Sequence, residues 1–256
     1  MATALAINPW PKSVCARAFW GQQELPAYKR LLADTIAWLD PKPGQRWLDL
    51  GCGSGPLSAR LWQVCGGRLA EVVGMDCAAA NEEAYAKLRA RLQPPPGDRL
   101  HFVEGDFSSG LSRWPEGSFD GIVSGLAIQY AESYSEEKGR WTSDAYDHLL
   151  CEARRVLRPG GTFVFSVNVP NPSWLLVGLC SVTGLFQTLR PIRYLMRTLQ
   201  MWWYSSWVKL QARRGRFHYL PIADIVAKLT AAGLVDIEHR RSYVRQAYIV
   251  RCRRPA

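Results

Sequence analysis

The chain has 256 residues, 48% of them hydrophobic, and a net charge of +10. That is enough apolar content for one α/β domain with an insertion or for two small domains. Seven cysteines, an odd number without a C-x-x-C pair, argue against a disulfide framework and against a zinc site. The first residues lack the charged start and apolar core of a secretory leader, so a reducing cytoplasm is the expected compartment.

In chain order, the segment 19–24 leads into a helical stretch at 27–39, where Leu31, Leu32, Ile36 and Leu39 form one apolar face. The run Trp47-Leu48-Asp49-Leu50-Gly51-Cys52-Gly53-Ser54-Gly55 follows. It reads as a short buried strand that breaks into a turn of alternate glycines. Glycine admits φ > 0 and lets backbone amides approach a ligand with no Cβ between. A helix restarts at 56–62 with proline in its first turn, so its free amides form an anion-friendly positive end. A second strand at 70–76 ends in Asp76, and Pro94-Pro95-Pro96-Gly97 is a stiff surface loop. A third strand, 100–103, leads to Glu104-Gly105-Asp106-Phe107. A fourth strand and its loop fill 118–130. A helix at 145–157 is stopped by Arg158-Pro159-Gly160-Gly161 before a fifth strand at 162–167. Two last strands are expected near 234–238 and 247–251.

Three ligand loops compete for the glycine pattern, beside a plain tight turn that holds no ligand. A dinucleotide fingerprint needs a sixth-position glycine, where this chain has Pro56, and a P-loop needs a lysine that is absent between Lys42 and Lys87. The remaining Asp-x-Gly-x-Gly-x-Gly pattern resembles the first motif of the class I S-adenosylmethionine-dependent methyltransferases. The strand-end acids and the helix-Pro-Gly-Gly-strand phrase extend the resemblance over about residues 44–168, and the loop sequence resembles the small-molecule, type 11-like branch. The resemblance implies a Rossmann-like, doubly wound α/β sheet of seven strands with the last one antiparallel. It also implies one domain over 1–256, with an N-terminal helical lid at 1–43 and a helical cap inserted at 170–219 between the fifth strand and the last helix.

The implied cofactor is S-adenosylmethionine, a cationic amino acid-nucleoside without phosphate. Asp49, Gly51, Cys52, Gly53 and Gly55 are its expected loop contacts. Ligands in such sheets sit outside the carboxyl ends of the strands, where Asp76 can accept two hydrogen bonds from ribose hydroxyls. In the family, the acid at the place of Asp106 binds the adenine amino group, and the neighbouring apolar side chain, here Phe107, packs on the ring. Cys77, Ser124 and Leu126 are expected to flank the pocket. Trp20 and Tyr28 are expected to close over it from the N-terminal side. No metal is expected.

Charge is unevenly placed. Residues 1–186 sum to −1, whereas residues 187–256 carry 14 basic and 3 acidic side chains and sum to +11. Such asymmetry points to an anionic partner or to a plain solvated basic face. The insert begins with an uncharged run at 173–189, continues through Arg190, Arg193 and Arg197, and then reaches Trp202, Trp203, Tyr204 and Trp207. The run is short for a transmembrane helix and suits an interfacial helix pair or ordinary cap helices packed on the domain. The expected partner is a small, lipophilic methyl acceptor, with an anionic membrane surface at the inner face as a further one. Nucleic acid is the rival, although the loop Ser124-Gly125-Leu126-Ala127 lacks the Asn/Asp-Pro-Pro-aromatic pattern of nucleobase amine methyltransferases. A scaffold without catalytic activity is the non-enzymatic alternative.

The reaction implied is an in-line displacement at a sulfonium methyl, which calls for alignment and exclusion of water. Tyr130, His218 and Tyr219 are the candidate catalytic residues. His148 is expected to be a surface or packing histidine.

Overall fold

The computed structural model describes Trp10, Trp20 and residues 25–181 and 191–256; between 181 and 202, Met196 alone has a described side chain in the rest of α-helical 191–202 and at 181. Arg190, the side chains of Arg193, Arg197 and Trp202, and the segment 19–24 apart from Trp20 lie outside the described residues.

Consecutive residues of the central strands face opposite ways, into two separate cores. The strands are β1 (Arg46–Leu50), β2 (Glu71–Asp76), β3 (Leu100–Glu104), β4 (Phe119–Gly125), β5 (Ser133–Ser135), β6 (Arg140–Thr142), β7 (Leu157–Asn168), β8 (Val235–Ser242) and β9 (Ala247–Arg253). Seven of them form one sheet in the order β3-β2-β1-β4-β7-β9-β8, with β9 antiparallel to both neighbours. This is the doubly wound sheet that the sequence predicts. Trp47, Val72, Val123 and Val164 enter one core, and their chain neighbours Leu48, Val73, Ile122 and Phe163 enter the other. Burial on both faces is why these strands read as continuous apolar runs rather than as alternating ones.

The first core is covered by α1 (Pro26–Ile36), α2 (Pro56–Val64) and α3 (Ala80–Arg89), through Leu31, Leu61, Trp62 and Tyr85. The second is covered by α4 (Asp144–Val156) and α7 (Ile222–Ala231), through Leu149, Leu150, Ile225 and Leu229. Between β7 and α7 lie α5 (Trp174–Ser181) and α6 (Pro191–Arg213). A third apolar cluster of Val208, Phe217 and Tyr219, with Trp10, Tyr130, Tyr204 and Trp207 against it, joins this insert to the sheet domain.

Two boundaries differ from expectation. The first helix stops at Ile36 instead of 39, because its end tightens: Trp38 N and Leu39 N donate three residues back, to Thr35 O at 3.1 Å and Ile36 O at 3.0 Å. The Arg158-Pro159-Gly160-Gly161 phrase does not end α4 but opens β7. Leu157 is already extended, at ψ 143°, and Pro159 holds Arg158 in the same region. The β5–β6 hairpin, outside the main sheet, is an element that the sequence reading does not contain.

Parallel registry aligns the strand ends that matter. Leu50 pairs with Met75, Asp76 with Glu104, and Gly125 with Ser166. The loops after β1, β2, β3 and β4 therefore emerge together along one edge of the sheet.

Candidate active site

A cleft opens along that edge, and the glycine loop forms its floor. Gly51, Cys52, Gly53 and Ser54 line it, whereas Gly55 does not. The three glycines serve different ends. A Cβ on Gly51 would lie 2.2 Å from Cβ of Ala127, so glycine there admits the loop after β4. Gly53, at φ +52°, faces open space. Gly55, at φ +86°, would meet the Tyr85 ring at 2.6 Å, so it seats α2 against α3 instead of contacting the cofactor.

Asp76 organises the next wall. Its Oδ2 accepts from Gly53 N at 2.9 Å, and its Oδ1 accepts from Ala78 N at 2.9 Å and Asn81 Nδ2 at 3.0 Å. Asn81 Oδ1 in turn accepts from Trp20 Nε1 at 2.7 Å. Trp20 is thus tied to the glycine loop through one carboxylate, and both line the cleft. Burial raises the Asp76 pKa against the pull of these donors, and Asp106 nearby adds repulsion. Asp106 accepts from Ser108 N at 2.8 Å, which fixes the short turn that places Phe107 in the wall. Cys52 and Cys77 also line the cleft, and burial pushes both thiols up, so they stand there as neutral, weakly polar surface.

Besides Gly55, two more of the expected cofactor contacts turn away. Ser124 is fully buried, and its hydroxyl donates to Leu50 O at 2.7 Å. Asp49 is 1% exposed, and its Oδ2 accepts from Ser58 N at 3.0 Å and Ser58 Oγ at 2.7 Å, bracing the first turn of α2. Neither lines the cleft. Burial lifts the Asp49 carboxyl from 3.8 to about 7, with the Ser58 bonds opposing and Asp76 assisting. Leu126 does line the cleft, at φ +54°, held by Ser166 O at 3.0 Å and Ser166 Oγ at 3.1 Å.

At the far end, Tyr130 and Tyr219 come together with hydroxyls 3.1 Å apart, and Asn168 Nδ2 donates to the Tyr219 oxygen at 3.0 Å. Burial raises both phenol pKa values, which removes them as bases near neutral pH. His218 does not join them. It is buried, Nε2 sits 2.8 Å from Ala131 O, and the ring lies on Tyr146 with centroids 4.9 Å apart. Desolvation lowers its pKa, and it is absent from the cleft wall. His148 is exposed on α4.

Sequence reasoning missed Trp10, Asn168, Trp174, Val208 and Tyr243, all in the wall. Asn168 had a signal, since it closes β7 at the ligand-bearing edge. Tyr243 is delivered by a turn in which Tyr243, Val244 and Arg245 are all left-handed, at φ +53°, +54° and +62°. Such a run of non-glycine residues is strained. It is held by Gln246, which accepts from Ser173 N at 2.6 Å, and by Ser242 Oγ donating to Asp34 at 2.6 Å.

Comparison with known proteins agrees with this geometry. Residues 48–165 match the family model of a methyltransferase domain. That stretch, just under half of the chain, carries a methyltransferase domain. It is similar to sterol 24-C-methyltransferase ERG6B of Gibberella zeae, 32% identical over 125 residues, covering 48% of this chain and 27% of that protein. It is also similar to 23S rRNA (uracil(1939)-C(5))-methyltransferase RlmD of a Shewanella species, 31% identical over 113 residues, 44% of this chain and 23% of that protein. The match thus spans about a quarter of these curated relatives. A SAM-dependent methyltransferase from Aquifex aeolicus shares the fold, with a TM-score of 0.58 at 12% identity over 95% of this chain and 98% of that one.

The cleft fits S-adenosylmethionine. Gly53 leaves open space where a side chain would stand, and Asp76 retains acceptor capacity on Oδ2. Asp106 and Phe107 occupy the next strand end. Asp76→Ala is expected to weaken cofactor binding about tenfold or more, through loss of charged hydrogen bonds worth ~1.5–3 kcal/mol. Unchanged affinity in titration calorimetry would count against Asp76 as a contact. Asp49 gives a pH prediction. Its folded-state pKa is the higher one, so its contribution is fully present below 3.8 and is lost as pH rises through about 7. Asp49→Asn should remove that part of the stability decline, as read by urea unfolding at several pH values.

Proposed function

We propose that the protein is an S-adenosylmethionine-dependent methyltransferase that acts on a small, lipophilic acceptor, of the quinone, sterol or other lipid-like class. The observation that carries the reading is the composition of the acceptor end of the cleft. Trp10, Tyr130, Trp174, Val208, Tyr219 and Tyr243 line it, and Trp174 and Val208 come from the insert. Aromatic and aliphatic walls desolvate an apolar ligand, and a few hydroxyls orient it.

When bound, S-adenosylmethionine supplies an activated methyl on a sulfonium centre. The chain's own residues supply position. The Gly51–Ser54 backbone, Asp76, Asp106 and Phe107 hold the cofactor end, while the aromatic wall excludes water from the transfer path. Tyr130 and Tyr219 stay protonated and, braced by Asn168, can hold a polar atom of the acceptor by hydrogen bonds.

RNA is the second reading. It is favoured by the +11 charge of residues 187–256 and by the likeness to RlmD over 113 residues. For place in the cell, we propose a cytoplasmic protein that works at the inner face of a membrane. Among the described residues, no helix is long and apolar enough to cross one.

Incubation with methyl-labelled cofactor and separate lipid, polar and RNA extracts tests the choice. Label in the lipid fraction is expected, and label confined to RNA would overturn the proposal. Tyr219→Phe should raise the acceptor KM about tenfold, the loss of ~1–1.5 kcal/mol of hydrogen bonding, with an unchanged pH–rate profile. Loss of one limb of that profile would show instead that the hydroxyl exchanges a proton in the reaction.

A further inference from the structure

We propose that the outward face of α5 and α6 docks on an anionic lipid bilayer and that the acceptor passes from there into the cleft. This rests on the lipophilic-acceptor reading above. Met196, Trp203 and Leu210 stand seven residues apart on α6, which places them on one side of a 3.6-residue helix. They are 64%, 67% and 46% exposed. On α5, Val177 is buried while Leu175 and Leu179 are 69% and 58% exposed. Single exposed apolar residues are ordinary, but an apolar stripe of this length beside a second one marks an interaction surface.

Charge identifies what the surface meets. Between Glu152 and Asp224 the chain has no acidic residue, and α6 ends in the exposed Arg213, followed by the exposed Arg214. A groove between the two helices is lined by Trp174 and Leu175 on one side and by Lys209, Leu210 and Arg213 on the other. Lys209 Nζ donates to Pro172 O at 3.0 Å, which holds the ammonium at the groove. Aliphatic side chains and cations in one groove match the boundary where acyl chains meet anionic headgroups. Trp203, exposed on the same stripe, has the amphipathic ring favoured at that depth. RNA would use the cations and could stack on Trp203, but it would leave Leu175, Leu179, Met196 and Leu210 exposed, whereas acyl chains cover them. Trp174 lines both the groove and the catalytic cleft, so the docking face and the acceptor end share a wall.

Co-flotation of the full chain with vesicles decides the proposal. Vesicles of phosphatidylcholine with phosphatidylglycerol should carry the protein, and phosphatidylcholine alone should carry much less. Lys209→Gln with Arg213→Gln should lower affinity for the anionic vesicles about thirtyfold, from two cations near the surface. Leu175→Ser with Leu179→Ser should lower it as well, with cofactor affinity by calorimetry unchanged to show an intact fold. No flotation with anionic vesicles, equal flotation of both variant pairs and the unaltered chain, or displacement by single-stranded RNA would each overturn it. Labelling of a detergent-dispersed lipid extract reads the acceptor class independently. Lipid labelling without flotation overturns the docking alone, whereas flotation with label only in RNA supports docking but overturns the acceptor reading and, with it, passage of the acceptor from the bilayer.

Discussion

Two carboxylates at neighbouring strand ends, Asp49 wholly and Asp76 largely removed from water, constrain everything built around them. A buried carboxylate is tolerated when donors meet it, and the surrounding loops supply those donors. Ser58 in the first turn of α2 serves Asp49, while Gly53, Ala78 and Asn81 serve Asp76. The start of α2, the approach to α3 and the path of the glycine loop are set by the same hydrogen bonds that hold the cleft open for a ligand. Division of labour follows from this. Asp49 braces the fold through Oδ2 alone, its Oδ1 being buried without a hydrogen-bond partner, and Asp76, one strand further out, shares its oxygens between the fold and the cleft.

A second constraint fixes the acceptor end. Arg216 and Glu132 form an ion pair at 2.5 Å with side chains 4% and 9% exposed, and Arg216 lies 4.7 Å over the Trp141 ring. The pair joins the return from α6 to the segment after β4. Breaking one side of such a buried pair costs about 3–5 kcal/mol, because the other charge is left without a partner. Trp141 belongs to β6, so the small hairpin gains a reason to exist: it roofs a buried guanidinium. The same junction brings Tyr219 beside Tyr130, and the strained turn at 243–245 brings Tyr243 into the wall of the same cleft.

Much of this was legible in the sequence where the information is local. Alternate glycines, acids at the ends of apolar runs and Pro56 after the loop report backbone geometry within a few residues, and they located Gly51, Gly53, Asp76, Asp106 and Phe107 at the cleft. Side-chain parity was not legible. Neighbours in an extended segment face opposite ways, so Tyr219 in the cleft wall leaves His218 turned into the core, and Gly125 in the wall leaves Ser124 turned inward. Trp10, Trp174 and Tyr243 were missed for a different reason. They arrive from three distant segments, and no short pattern encodes a meeting that tertiary packing alone creates.

The charge asymmetry changes meaning once its side chains are placed. Arg216 is buried against Glu132, and Lys228 pairs with Asp147 at 2.7 Å. Arg240 and Arg251 lie 4.6 and 5.6 Å from the Trp38 ring. Arg254 donates to the carbonyls of Leu157 at 2.7 Å and Arg155 at 3.0 Å, at the negative end of α4. Much of the basic excess that suggested a polyanion is therefore engaged by the fold itself. Lys209, Arg213 and Arg214 are different, because they gather at one end of a helix whose exposed stripe is aliphatic and aromatic. A cationic patch attached to an apolar stripe discriminates between polyanions: it favours one that offers hydrocarbon as well as phosphate. That requirement, more than the net charge, separates a lipid surface from a nucleic acid at this face.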